Sequence, residues 1–432
     1  MKAPRLDQTQ SKAWKARAAA RVPVMAQTFS KAPMSLPQGS YPAFLRSGKG
    51  CRVTDVDGNE YLDFILGLGP VILGYGNPVV DQAVRAQLES GISFSLGTPL
   101  EVELAELLAE VIPCAERTRF FKTGSDATSA AVRSARAFTG RDTIAYASYH
   151  GWHDWYAATT TRGAGIPSVM RELVAPFAFN DLASLHGVLT RHAGRVAAVI
   201  LEPLTLEEPG PGYLEELCAA ARKAGAVVIF DEIVTGFRCH VGGAQAKYGV
   251  TPDLATFGKA MGNGLPIAAL CGRAELMRTF EDTFISGTFG GETLSLAGAR
   301  ACIEELRKKD VPTHLEAMGE RVKAAFSRGC KRHRVDGEAI GHGSHFLMTP
   351  RDRQGVASLE VKALYSQECV RRGVLFHVGA NNICYAHGPE EIARTEQVID
   401  EALEVVGAAL AEDAVRRYLD GEPHSEVFPR NR

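Results

Sequence analysis

Lys259 and Asp231 are the residues whose types and surroundings could do chemistry. Lys259 follows a glycine in Asp253-Leu-Ala-Thr-Phe-Gly-Lys259-Ala-Met-Gly-Asn-Gly-Leu-Pro266, a turn with two further glycines and a proline. Asp231 ends the apolar run Ala226-Val-Val-Ile-Phe-Asp231, ahead of Glu232. Such runs read as buried strands of a parallel sheet, and ligands of those sheets gather at the carboxyl ends of the strands. One crevice could therefore hold both side chains. A lysine there forms a Schiff base with an aldehyde if its amine is neutral when it attacks. An aspartate facing a pyridine nitrogen keeps that nitrogen protonated, and the two together are the signature of pyridoxal 5'-phosphate. Either residue alone also reads as a surface lysine in a turn or an N-cap aspartate. The stronger reading requires a phosphate site and a group to stack on a flat ring.

Both requirements have candidates. Thr118-Arg-Phe-Phe-Lys122 reads as a strand, Gly124-Ser125-Asp126-Ala127-Thr128 as a small polar turn, and Ser129 to Thr139 as a helix. Strand, turn and helix in that order bind phosphate, because free amides and the positive end of the helix dipole face the anion. The plain alternative is an ordinary Ser/Asp N-cap. Ser286-Gly-Thr288-Phe-Gly-Gly-Glu292 is a second phosphate-capable turn. For stacking, Tyr149-His150-Gly-Trp-His-Asp-Trp-Tyr156 is dense in rings, and Tyr149 or His150 could supply the face. The same stretch also reads as an aromatic loop at an interface. A metal reading of His150, His153 and Asp154 has no HExxH pattern or cysteine partner behind it. Val196-Ala-Ala-Val-Ile-Leu-Glu202 is another buried strand with a carboxylate at its end.

These residues are positioned by an ordinary globular chain. It has 432 residues, 45% hydrophobic and 23% charged, with a formal net charge of −2. That balance gives no support for a nucleic-acid partner. No apolar run approaches the roughly 18 residues that span a bilayer, so no membrane partner is expected. Nine scattered cysteines, none at CxxC spacing, point to free thiols in a reducing compartment. The expected location is cytoplasmic.

Strand and helix alternate from 118 to 271, which makes an α/β domain with a mostly parallel sheet. The expected organisation is an arm over 1–35, a first part of a small domain over 36–80, a large domain over 81–309, and a C-terminal small α+β domain over 310–432. Val53 to Phe64 reads as a hairpin turning at Asp57-Gly58-Asn59. Residues 157–180 read as a surface loop. Beyond about 310 the expected elements are shorter and mixed. Val374 to Val378 reads as a strand and Glu390 to Leu410 as a helix. The polar last dozen residues read as a frayed end.

Phe230-Asp-Glu-Ile-Val-Thr-Gly-Phe-Arg238, the Lys259 turn, Gly124-Ser-Asp-Ala, Tyr149-His-Gly and Gly287-Thr288 together resemble the class III pyridoxal-phosphate aminotransferases. The likeness runs from about residue 40 to about 410, and is greatest to the glutamate-1-semialdehyde aminomutase branch. It implies a fold type I pyridoxal-phosphate transferase, with a large domain and a smaller one built from both termini. It implies that Lys259 forms the Schiff base and then carries the proton as general acid and base. Asp231 would pair with the pyridinium nitrogen, with Ile233 on one ring face and Tyr149 on the other. Gly124 and Ser125 would hold the phosphate, with Glu202 near the cofactor. Thr288 would reach the phosphate of the neighbouring subunit, making a homodimer with a shared active site.

The departures concern the substrate. Gly39-Ser-Tyr-Pro-Ala-Phe44 lacks the arginine that the aminomutases keep there for a carboxylate. Val378-Gly-Ala-Asn-Asn382 stands where they have a glutamate in Phe-Glu-Ala-Gly. The expected activity is an intermolecular aminotransferase, with an amino-acid donor such as glutamate and an aldehyde or ketone acceptor. His150, His377, Asn381 and Asn382 are candidate substrate residues, and the polarity of the last three suggests a sugar or sugar acid. The aminomutase, an isomerase with the same cofactor, is the alternative. A non-catalytic binding protein on the same fold is the alternative of another class.

Overall fold

Seven strands build the sheet that carries the site. The computed structural model describes residues 3–425, which divide into two units: 70–72 with 78–313, and 3–69 with 73–77 and 314–425. The division falls at 77/78 and 313/314, where the sequence places it at 80/81 and 309/310. In the first unit the strand order is Arg117–Phe121, Ala268–Gly272, Leu254–Phe257, Val227–Asp231, Val196–Leu201, Thr143–Ala147, Val174–Pro176. Ala268–Gly272 runs antiparallel to both its neighbours, and the other pairings are parallel. The three central parallel strands and Ala268–Gly272 are buried along their whole length. That is why they read as unbroken apolar runs rather than as alternations. Val132, Ile144, Ala198, Ile229 and Leu270 belong to one core cluster there.

The helix after Arg117–Phe121 spans Gly124–Thr139, and so starts five residues before the Ser129 start expected from sequence. A reciprocal cap sets that start. Asp126 N donates to Thr123 Oγ1 at 3.2 Å, and Thr123 N donates to an Asp126 carboxylate oxygen at 2.9 Å. The pairing satisfies two amides that a helix start leaves open. Gly140, at φ 65°, ends the helix in the left-handed region.

The expected loop over 157–180 is corrected. Short helices occupy Asp154–Ala157 and Val169–Glu172, and Val174–Pro176 joins the sheet as its edge strand. A three-residue strand ending in proline carries almost no periodic signal, and proline is tolerated at an edge.

The second unit has two small sheets. One orders Leu45–Lys49, Arg52–Asp55, Glu60–Asp63 and Val374–Leu375; the other orders Gly337–His342, His345–Pro350 and Asn381–Asn382. The hairpin joining Arg52–Asp55 to Glu60–Asp63 is held by Asp55, which accepts from Asp57 N and Asn59 N at 2.9 and 2.8 Å. The expected strand from Val374 stops at Leu375.

The expectation of short elements after 310 is also corrected, since Val311–His333 is one helix of 23 residues. Its glycines weaken helix propensity but are packing devices. A Cβ on Gly319 would lie 1.6 Å from the Gly343 carbonyl oxygen, and one on Gly329 2.7 Å from Leu403 Cδ1. Residues 421–425 of the expected frayed end are tied down: Gln38 N donates to Glu422 O and Ser425 N to Met34 O. The rest of that stretch lies outside the described residues.

Among the described residues, no helix is long and apolar enough to cross a membrane, and no cluster of His, Cys, Asp and Glu has a metal-holding arrangement.

Candidate active site

A cavity of about 370 Å³ opens at the carboxyl ends of the central strands, lined by Gly124, Ser125, Tyr149, Asp231, Ile233 and Lys259 among others. Adjacent strands deliver these residues. Glu202 follows Val196–Leu201, Asp231 ends Val227–Asp231, and Lys259 comes two residues after Leu254–Phe257. His150 and Glu202 also line it.

Asp231 is 3% exposed and held from three directions. Ile233 N and Thr256 Oγ1 donate to Oδ1 at 3.2 and 3.0 Å, and His150 Nδ1 lies 2.8 Å from Oδ2. His150 Nε2 lies 2.8 Å from the Ala147 carbonyl oxygen. A carbonyl can only accept, so Nε2 donates. The proton in the Nδ1–Oδ2 contact is then one shared between imidazole and carboxylate. His150 was expected to face a ring or a substrate. It lines the cavity and is also a buried partner of Asp231, with its ring stacked near that of Trp155 at 6.0 Å.

Lys259 adopts φ 42°, the left-handed region that non-glycine residues seldom enter. Burial pulls its ammonium below the ordinary lysine value, while the Glu202 and Asp231 carboxylates pull the other way. A larger share of neutral amine is what a lysine needs to attack a carbonyl. Burial, and then the Asp231 charge, push the Glu202 carboxyl up to about 7. Tyr149 N donates to Glu202 Oε1 at 3.1 Å, which ties the aromatic loop to this carboxyl.

The phosphate candidates lie in the first turn of the Gly124–Thr139 helix, whose leading amides have no helical acceptor. Close packing explains the small residues. A Cβ on Gly124 would come within 3.0–3.1 Å of three Ile233 side-chain carbons. One on Gly151, at φ 98°, would lie 2.3 Å from Ser125 Oγ. Tyr149 is half exposed and meets Tyr156 edge-on at 5.4 Å.

The cavity thus offers a buried acid at its floor, an amine beside it, an aromatic face, an aliphatic face and a helix start. These suit a pyridine nitrogen, an aldehyde, two faces of a ring and a phosphate. Pyridoxal 5'-phosphate fits this donor set.

Other expected residues lie outside this cavity. Thr288 is exposed and outside the lining of this cavity. His377, Asn381 and Asn382 belong to the second unit, and their polar atoms are committed there. Asn381 Oδ1 accepts from His377 N at 2.7 Å, and its Nδ2 donates to the carbonyls of His377 and Gly379. Asn382 Nδ2 donates to Ile65 O, and its Oδ1 meets His345 Nδ1 at 2.9 Å. His377 Nδ1 accepts from Gly379 N, and Nε2 meets Ser30 O at 3.1 Å. The side chains of His377 and Asn381 thus close the segment between Val374–Leu375 and the strand Asn381–Asn382.

Sequence reasoning missed Thr256 and Glu232. The polar Thr256 inside the buried run Leu254-Ala-Thr-Phe257 was the available signal for the first. Glu232 is fully buried and accepts from Ala244 N, Gln245 N and Thr235 Oγ1. It fastens the chain just after Asp231 to the start of the helix Gly243–Tyr248.

Residues 34–410 match the family described as Aminotransferase class-III. The chain is 39% identical over 383 residues to a 3-aminobutyryl-CoA aminotransferase of Cloacimonas acidaminovorans, covering 86% of this chain and 91% of that one. It is 34% identical over 390 residues to a glutamate-1-semialdehyde 2,1-aminomutase of Archaeoglobus fulgidus, covering 84% and 93%. The FumI protein of Sphingopyxis sp. MTA144, solved in a PLP form, superposes with a TM-score of 0.88 at 27% identity, over 96% of this chain and 99% of that one. The fold is that of the type I pyridoxal-phosphate transaminases, and the chain belongs to the class-III aminotransferase family. It is a pyridoxal-phosphate-dependent transaminase.

Proposed function

We propose that the enzyme is an intermolecular aminotransferase that takes its amino group from an amino-acid donor, glutamate first among them, and passes it to a separate aldehyde or ketone. When bound, the cofactor supplies an electron sink for the carbon that loses its proton. The protein's own residues do the rest. Asp231, fixed by Thr256, Ile233 N and His150, holds a proton at the ring nitrogen. Lys259 would attack a carbonyl as a neutral amine and then, at Nζ, take up and return the proton of the 1,3-shift. Gly124 and Ser125 hold the phosphate, and Ile233 and Tyr149 orient the ring.

The observation that carries this reading is the lysine whose ammonium is disfavoured by burial, lining one cavity with a triply held aspartate. The missing arginine and glutamate of the aminomutase pattern favour transfer between two molecules over isomerisation within one. The relative named for 3-aminobutyryl-CoA favours an acceptor whose carbonyl lies β to an acyl group. A sugar or sugar acid is the second acceptor class. It rests on the polarity of His377, Asn381 and Asn382, whose polar atoms are already paired, so β-oxoacyl compounds come first.

A homodimer is part of the proposal. Leu88, Ile92, Phe94, Leu96 and Val102 expose large apolar side chains on neighbouring stretches of the first unit, Leu96 at 85%. Exposed patches of this kind mark interaction surfaces.

The test is the visible spectrum of the purified enzyme before and after L-glutamate alone. Loss of the yellow band with release of an oxo acid is expected. A band that glutamate leaves unchanged, with turnover of glutamate-1-semialdehyde and no external donor, would overturn the proposal in favour of the aminomutase. Unchanged biological activity in Lys259→Ala would favour the binding-protein reading.

A further inference from the structure

Lys122 and Glu292 are absorbed by none of the roles above, yet they meet at the edge of the candidate phosphate site. Lys122 follows the strand Arg117–Phe121, lies two residues before Gly124, and is among the residues lining the cavity. Its Nζ donates to Glu292 Oε2 at 2.8 Å, with side chains 22% and 13% exposed. Glu292 is the N-cap of the helix Thr293–Lys308. It also accepts from Leu294 N at 2.7 Å and from Ser295 Oγ at 2.6 Å. Burial works against this carboxylate, but the bonds from Lys122 and Ser295 hold it below the ordinary glutamate value. It is therefore a fixed anion rather than a swinging one.

The turn ahead of Glu292 is packed onto the same strand end. A Cβ on Gly290 would lie 3.1 Å from the Phe120 carbonyl oxygen, and one on Gly291 2.9 Å from Glu101 Oε1. Glu101 is itself fixed by accepting from Thr98 N at 2.8 Å. Two glycines thus let the turn lie flush, and the ion pair clamps it. A charge-assisted bond of this length on partly buried partners is directional as well as attractive.

We propose that Lys122 and Glu292 are positioning residues of the cofactor-phosphate site. Their ion pair fixes the strand end that opens into Gly124-Ser125 against the turn that carries Thr288. This rests on the reading of Gly124 and Ser125 as the phosphate cradle.

The experiment titrates apoenzyme with pyridoxal 5'-phosphate and, separately, with pyridoxal, which lacks the phosphate. It follows the visible absorbance of wild type, Lys122→Met, Lys122→Arg, Glu292→Gln and Glu292→Asp. Wild type must prefer the phosphorylated form; no preference means that the cradle reading itself has failed, before any variant is compared. With that preference in place, Lys122→Met is expected to weaken pyridoxal 5'-phosphate about tenfold and pyridoxal less than about twofold. Lys122→Arg keeps the charge and should restore most of the loss. Glu292→Asp keeps the N-cap but is one methylene too short for Lys122, and should weaken pyridoxal 5'-phosphate as Lys122→Met does.

Glu292→Gln decides between positioning and plain charge. Removing a negative charge beside an anion site strengthens anion binding by Coulomb's law, whereas losing the clamp weakens it. Weaker binding supports the proposal; tighter binding overturns it and makes Lys122 a direct anion contact. Equal losses for both ligands, with lowered melting of the apoenzyme, would also overturn it, by reducing the pair to general stability.

Discussion

Asp231 is more constrained than a lone catalytic carboxylate needs to be, and the constraint has a chemical use. With Oδ1 held by Thr256 and Ile233 N and Oδ2 by His150, it cannot rotate away from a ring nitrogen. Lys259 is the residue for which nothing can substitute: Lys259→Ala is expected to lower transamination at least about a thousandfold, since both attack and proton transfer are lost. The aldimine-type visible band should disappear as well, and single-turnover absorbance checks both. Glu202 gives a pH prediction. Its carboxyl is raised from 4.5 to about 7 in the folded chain, chiefly by burial. Folding therefore favours the protonated form. The benefit is fully present below pH 4.5 and is lost as pH rises through about 7. Melting of the apoenzyme and of Glu202→Gln, compared at several pH values, should show the variant gaining on wild type between those limits. A constant difference would mean that Glu202 titrates normally.

At the scale of elements, what the sequence made legible is what burial writes into it. Val196–Leu201, Val227–Asp231 and Leu254–Phe257 are covered on both faces, so their apolar runs announced a parallel sheet, and the crevice at its strand ends located Lys259 and Asp231. Elements shaped by particular contacts were not legible. Val311–His333 hid behind Gly319 and Gly329, whose missing side chains make room for Gly343 and Leu403. Val174–Pro176 is too short to show a period. Asn381 and Asn382 read as substrate groups because a sequence does not reveal which side-chain amides the local fold will consume. Gly319→Ala tests the packing account. Its Cβ would fall 1.6 Å from a backbone oxygen, which no rotamer change relieves. A loss of about 1–3 kcal/mol is expected, as for other overpacked sites. Alanine is the better helix former, so a gain in urea midpoint would show that the helix shifts freely and that the contact is not tight.

The whole molecule is expected to be a pair of chains, because the site as drawn from one chain omits Thr288, and an apolar patch around Phe94 and Leu96 stays exposed. An isologous dimer would cover that patch on both chains at once. Light scattering should give the mass of two chains, and Leu96→Glu should shift it toward one. Sharing of the site is a stricter claim, and mixed dimers test it. Lys259→Ala removes the amine from its own site. Thr288→Ala, if the hydroxyl serves the neighbour, damages only the partner's site. Each homodimer would then be poorly active alone at limiting cofactor. After dissociation and reassociation, half of the dimers combine the two chains, and each of these holds one intact site and one doubly damaged site. Recovery of about a quarter of wild-type activity is expected from that statistics of pairing. If Thr288 instead served its own chain, every mixed dimer would carry one lysine-deficient and one threonine-deficient site. Mixing would then give only the average of the two parents, and the shared site would have to be abandoned.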